Sequence, residues 1–184
     1  EKKGLVYYSG ISYNDEPFYI QTPKLKCLMT GSECIGRKSP SLDVENINND
    51  FKFYDFLLSL DELNVNNTHN ESENWFSKEI PKETIDEMYK RILKPVKKGN
   101  RPVYCFKIPT IKDKIQCPIF DQNKICHTIE KFEKDIELEL IIHVRGLKFL
   151  KQNFYCDTYI SQVKIYVPNE EKYSIINDFS FKET

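Results

Sequence analysis

Three histidines, six glycines and a single tryptophan are a thin supply of the residue types on which most chemical sites are built. The sequence holds no HExxH pair of metal ligands, no GxSxG nucleophile turn, and no glycine-rich loop or Gly-Lys-Thr to cradle phosphates. Acid pairs such as Asp61-Glu62 and Glu170-Glu171 lie in polar stretches and read as solvated charge, so no general acid and base are specified. An enzyme is not expected. Arginine is scarce as well, 4 of the 27 cations against 23 lysines. That bias suits diffuse attraction to phosphate better than bidentate reading of base edges. CxxC is absent, and although Cys126-His127 with Cys117 would make three ligands, the spacings of structural zinc sites are missing, so neither metal nor cofactor is expected. No apolar run approaches the roughly 18 residues of a membrane-spanning helix, and EKKGLVYYSG lacks the apolar stretch of a signal peptide. An intracellular protein, in the nucleus or at a cytoplasmic replication site, is the expectation, with no membrane partner.

What is present is a chain of 184 residues, 40% apolar and 30% charged, enough for one domain over 1–184 with a real core. It begins with Glu1 rather than Met, as expected of a chain cut from a longer one. The net charge of −1 conceals segregation: residues 41 to 93 hold 12 acids and 5 bases, residues 94 to 115 hold 7 bases and 1 acid. The second stretch, with Lys94, Lys97, Lys98 and Arg101, is a candidate anion-facing strip. Six cysteines would allow three disulfides in a secreted chain, but Cys27 and Cys105 sit in alternating apolar runs, so reduced thiols are expected. Asn66-Asn67-Thr68 and Asn70-Glu71-Ser72 match the glycosylation acceptor pattern, as chance allows in an Asn-rich stretch.

The firmest periodicity lies in 136–167. Ile136, Leu138, Leu140, Ile142 and Val144 alternate with Glu137, Glu139, His143 and Arg145, predicting a half-buried strand. A second follows, with Tyr159, Val163, Ile165 and Val167 on one face and Gln162, Lys164 and Tyr166 on the other. Upstream, 5–13 and 18–22 read as a hairpin turning at Asn14-Asp15-Glu16-Pro17, and Leu25 and Cys27 as a short strand with Lys24 and Lys26 outward. Residues 30–50 and 61–74 read as long polar loops, and 51–60 as a strand between them. Ile85, Met88, Tyr89, Ile92 and Leu93 predict one inserted helix near 81–93, with a shorter helical turn around Trp75 and Phe76 before it. Strands over 103–108 and 115–120 complete a meander. The fold class that follows is mainly β (α+β).

On the predicted strand faces lysines interleave with aromatic residues: Tyr19 with Lys24 and Lys26, Lys52 with Tyr54, Tyr104 and Phe106 beside Lys107, Phe149 between Lys148 and Lys151, and Lys164 with Tyr166. Cations flanking a stacking platform bind single strands with little sequence preference, because every base has a π face. Tyr54, Phe149 and Tyr166 are the leading stacking candidates. Aromatic residues also favour strands because they pack, so many of the 11 Tyr and 12 Phe must be core. A protein-interaction module using the two long loops, and a secreted disulfide-bonded domain, are the alternative readings.

The segments YSGISYNDEPFYIQTPKLKC, YDFLLSLDE, PVYCFKIPT with IFDQNK behind it, and VRGLKFLKQNFYCDTYISQVKIYV, in this order, resemble the single-stranded-DNA-binding proteins of large eukaryotic DNA viruses, a group similar to the phage-type single-strand binders. Ile20-Gln21-Thr22-Pro23 and Gln162-Val163-Lys164-Ile165 are its most specific pieces. The resemblance implies an OB-like antiparallel barrel with added strands and helix, single-stranded DNA as the partner in replication, recombination or repair, and an acidic tail that recruits replication proteins. This chain closes instead on DFSFKET.

Overall fold

The computed structural model describes residues 6–47, 50–93, 96 and 100–168. In chain order the elements are β1 (Tyr7–Gly10), β2 (Ser12–Tyr13), β3 (Glu16–Gln21), β4 (Leu25–Cys27), α1 (Gly31–Ile35), β5 (Ser41–Asn46), α2 (Lys52–Asn70), α3 (Ser72–Phe76), α4 (Lys82–Met88), β6 (Tyr89–Lys90), β7 (Val103–Lys107), β8 (Thr110–Ile111), β9 (Lys114–Ile115), β10 (Ile119–Asp121), β11 (Cys126–His127), β12 (Glu137–Phe149) and β13 (Phe154–Tyr166). The long strands β12 and β13 pair antiparallel from Glu137↔Tyr166 to Phe149↔Phe154, as their alternation predicts. Five strands close a ring in the order β13, β7, β5, β4, β12 and back to β13. The barrel is mixed rather than antiparallel as expected, because β13 runs parallel to β7. The OB-like α+β fold expected from the sequence is thus present, with β10, β11, β6 and the β1–β3 segment added around it.

The barrel interior is built from the inward half of each alternation. Leu138, Leu140, Ile142 and Val144 meet Ile160, Val163 and Ile165 across the seam, with Leu25, Leu42, Val44, Tyr104 and Phe106 from the other strands, none more than 1% exposed. Two irregularities interrupt the seam. Between Ile141 and Ile142 the partner jumps from Gln162 to Ile160, so Ser161 is extra in β13, and between Val144 and Gly146 Arg145 is extra in β12. Such bulges bend a strand and re-aim the side chains around them. At Gly146, with φ +152°, a Cβ would lie 2.1 Å from the Ser9 carbonyl oxygen, so only glycine lets β1 approach so closely. The first hairpin turns on Asn14 and Asp15, at φ 51° and 64°, both in the left-handed region that a two-residue turn of this hand requires.

The structure corrects several sequence expectations. Residues 51–60 are not a strand, nor 61–74 a loop: both belong to α2 and α3. The buried stripe of α2 runs Phe53, Leu57, Leu60, Asp61, Asn64, Val65, Thr68, a helical period whose second half is polar and therefore invisible to a search for apolar residues. Asp61 accepts from the Tyr89 hydroxyl at 2.6 Å and from the Ile92 and Leu93 amides at 3.1 and 3.4 Å; Asn64 donates to the same hydroxyl at 3.0 Å. Thr68 and Ser72, at 0% and 1% exposure, bury both hydroxyls of the glycosylation triplets. Residues 30–50 are not one loop either. Thr30 and Glu33 form a capping box that starts α1, and 41–46 alternates into β5, with Leu42 and Val44 inward. The helix expected over 81–93 is shorter: Ile85 is buried as expected, but Tyr89 and Lys90 leave the helix to pair with Phe154 and Tyr155.

The strand expected over 115–120 is split before β10 at Pro118, which has no amide to give to a ladder, although its carbonyl accepts from Val163 at 3.0 Å. The turn around Trp75 and Phe76 is α3. All six cysteines are free thiols, four of them buried. Among the described residues no helix is long and apolar enough to cross a membrane.

Candidate nucleic-acid interface

The outward half of the β12 alternation becomes a row across four strands. His143 lies opposite Tyr19 of β3 on one side and Tyr159 of β13 on the other, and Tyr159 lies opposite Lys107 of β7. Tyr19 stacks on His143 with centroids 4.5 Å apart and planes at 24°. The Arg145 guanidinium, carried outward by its bulge, sits 5.4 Å over the Tyr159 ring. A second row lies further along the same face, where Lys148 is flanked by Tyr8 of β1 and Tyr155 of β13. Lys107 links the two rows, its ammonium 5.3 Å from the Tyr159 ring and 4.4 Å from that of Tyr155.

Electrostatics distinguish the cations here. Lys107 donates to the Asp157 carboxylate at 2.9 Å. Burial opposes its charge, but the carboxylate outweighs burial and raises the ammonium above its ordinary pKa. Burial and the neighbouring Arg145 push His143 below its ordinary value, so it presents a neutral ring to Tyr19 at neutral pH. Among the described residues Arg145, Lys148 and Lys151 have no carboxylate partner. Beside the first row a cleft of about 520 Å³ opens between His143, Arg145 and Tyr159 on one side and Thr110 and Gln116 on the other. Neutral rings flanked by unpaired cations and bordered by a cleft can stack bases and hold phosphates.

Three residues singled out from the sequence, Tyr19, Lys107 and Lys148, come together on this face. Others gather at the far end of β12, where the cations are already engaged. Lys24 pairs with Glu137 at 3.0 Å, Lys26 with Glu45 and Asp135 at 2.6 and 3.2 Å, and Lys164 with Glu139 at 3.5 Å. The Tyr166 ring there lies under the ammonium groups of Lys24 and Lys164, at 3.9 and 4.8 Å. Lys52 and Tyr54 are on α2, not on a strand face, and Tyr54 packs edge-on to Phe51. Phe149 is 7% exposed and packed on Phe154 at 4.8 Å and Phe76 at 5.6 Å, so it is a core ring rather than a free platform. Tyr104 and Phe106 are core as well. Lys151 is exposed in the turn after β12; Arg101 is exposed and reaches the Asn46 carbonyl at 3.5 Å; Lys94, Lys97 and Lys98 lie outside the described residues.

Sequence reasoning did not single out Tyr8, His143, Arg145, Tyr155 and Tyr159 as candidate site residues. Strict alternation put Tyr159 with Val163 and Ile165, inside, and the Ser161 bulge reverses that assignment. His143 and Arg145 were legible as outward residues from their spacing alone.

The five-strand ring with its added strands is the fold of the phage single-stranded-DNA-binding proteins. The gp2.5 single-stranded DNA-binding protein of bacteriophage T7 superposes with a TM-score of 0.53, at 9% identity, over 91% of this chain and 99% of that one. The single-stranded DNA-binding protein of bacteriophage Enc34 gives 0.52 at 8% identity, over 86% and 89%, and its complex with single-stranded DNA gives 0.50 at 10% identity, over 90% and 96%. No curated protein matches the chain. The chain belongs to the family described as "Family of unknown function (DUF5871)", which matches residues 38–182.

Proposed function

We propose that this protein binds single-stranded DNA without catalysis, by stacking bases on the aromatic rows and holding phosphates with lysine and arginine, in replication, recombination or repair. The observation that carries this reading is the row Tyr19, His143, Tyr159 and Lys107, laid side by side on the four adjacent strands β3, β12, β13 and β7. A neutral histidine between two tyrosines offers π faces to any base, while Arg145 and Lys148 supply charge with no carboxylate competing among the described residues. The shared fold with proteins named for single-stranded DNA binding supports the same ligand, and the sequence resemblance supports a relation to the single-strand binders of large eukaryotic DNA viruses. Replication proteins are the further partners this reading implies.

The test is a titration of fluorescent oligo-dT followed by anisotropy at several salt concentrations. Counterion release requires log K to fall linearly with log salt, by about 0.7 per phosphate contact for a single strand. Absence of binding at low salt overturns the reading.

A further inference from the structure

Away from the first row, at the edge where β1 pairs with the end of β12, a smaller cleft of about 230 Å³ is walled by Tyr7, Tyr8, Ser9, Trp75, Phe76 and Phe149. Five of its six walls are aromatic rings, in mutual contact or exposed. Trp75 and Phe76 meet Phe149 edge-on at 5.7 and 5.6 Å, while Tyr7, Tyr8 and Trp75 stay 60%, 49% and 39% exposed. No acid lines it. Its volume is below the roughly 300–1,000 Å³ of drug-sized ligand sites and suits one flat ring system.

The cleft is continuous with the stacking face through β1. Tyr7 is the register partner of Phe149, while Tyr8 is the partner of Lys148, in the second aromatic row. Arg145, Asp157 and Tyr159 all lie near enough to act on the Tyr8 hydroxyl. Lys148, beside Tyr8 in that row, brings a cation next to the strand that forms one wall of the cleft. We infer that this cleft receives one unstacked nucleobase of the bound strand, so that the nucleic-acid path turns around the β1 edge and ends between Tyr7 and Trp75. This rests on the single-strand reading above.

Trp75 is the only tryptophan in the chain, so its fluorescence reports on this cleft alone. Labelled oligo-dT is titrated into the whole protein while anisotropy and Trp75 emission are recorded together. Quenching that saturates with the anisotropy supports the inference, provided that a fully abasic strand of the same length leaves Trp75 unquenched. Tyr7→Ala is expected to shrink the quench and weaken binding by about 5- to 150-fold, the range for one lost stacked base. Tyr13→Ala, equally exposed but outside the cleft, should change neither. Anisotropic binding without quenching, or equal quenching by the abasic strand, overturns the inference and leaves the function standing. Quenching by a phenylalanine-bearing peptide but not by oligo-dT overturns it as well. No binding by either signal overturns both.

Discussion

Tyr19 and His143 sit 124 positions apart in the chain and 4.5 Å apart ring to ring, on adjacent antiparallel strands. With Tyr19 half exposed, the pair is a surface platform rather than core packing. Tyr19→Ala and Tyr159→Ala are each expected to lower oligo-dT affinity by about 5- to 150-fold, with the melting temperature nearly unchanged. Anisotropy and thermal melts on the same two variants check this, and a large loss of stability without loss of affinity would reassign the rings to packing.

Lys107 has two duties that a double variant separates. Its carboxylate partner Asp157 is 4% exposed, so Lys107→Ala leaves a buried acceptor without its donor and should cost about 1–3 kcal/mol of stability. Lys107→Ala with Asp157→Asn should recover much of that loss in denaturant melts. Affinity for oligo-dT should stay reduced in both, with a flatter salt slope. Full recovery of affinity in the double variant would limit Lys107 to a structural role.

Phe149 tests the packed reading of a residue that the sequence offered as a stacker. Its ring is enclosed by Phe154, Phe76 and Trp75. Phe149→Ala is expected to cost about 3–5 kcal/mol, read as a drop of many degrees in the melting temperature. A melt within a degree or two of the parent would mean the ring is not packed.

The depressed pKa of His143, set by burial and then by Arg145, makes stability depend on pH. The unfolded chain binds this proton more readily than the folded chain. The contribution is therefore present above the unfolded value, about 6.5, and is lost as pH falls from there through the lowered folded value. His143→Gln should flatten the fall of the melting temperature with pH in that window. An unaltered profile would assign the dependence to other groups.

How much of this was legible beforehand follows from where polarity and periodicity agree. In β12 each inward position is apolar and each outward one polar or half-buried, so strand and face could be read directly. In α2 the buried stripe turns polar at Asp61, Asn64 and Thr68, because Asp61 and Asn64 bond the Tyr89 hydroxyl, Asp61 also accepts from the Ile92 and Leu93 amides, and Thr68 donates to the Asn64 carbonyl; the helix reads as a strand followed by a loop. For α1 the signal was local, the Thr30 and Glu33 capping box, but it spans only one turn. Around the site the obstacle was one extra residue, Ser161, which shifts Tyr159 and Tyr155 to the outer face without any mark in composition. Lysine beside an aromatic ring was a poor guide, since Lys24, Lys26 and Lys164 are taken by Glu137, Glu45, Asp135 and Glu139, partners that strand register brings together from distant sequence.

The seam on β12 also fixes the timetable of synthesis. β1 and β3 find their barrel partner in residues 137–149, as does the second edge of β4, while β12 itself needs β13 to close the ring. A ribosome adding about 5–20 residues per second has released the N-terminal hairpin several seconds to tens of seconds before that partner exists. Through that interval Tyr7, Tyr8 and Tyr19 are carried on unpaired strand edges, in the form most prone to self-association. A stall before residue 137 leaves β4, β5 and β7 able to pair with one another but the ring open and the β1 and β3 edges without their partner.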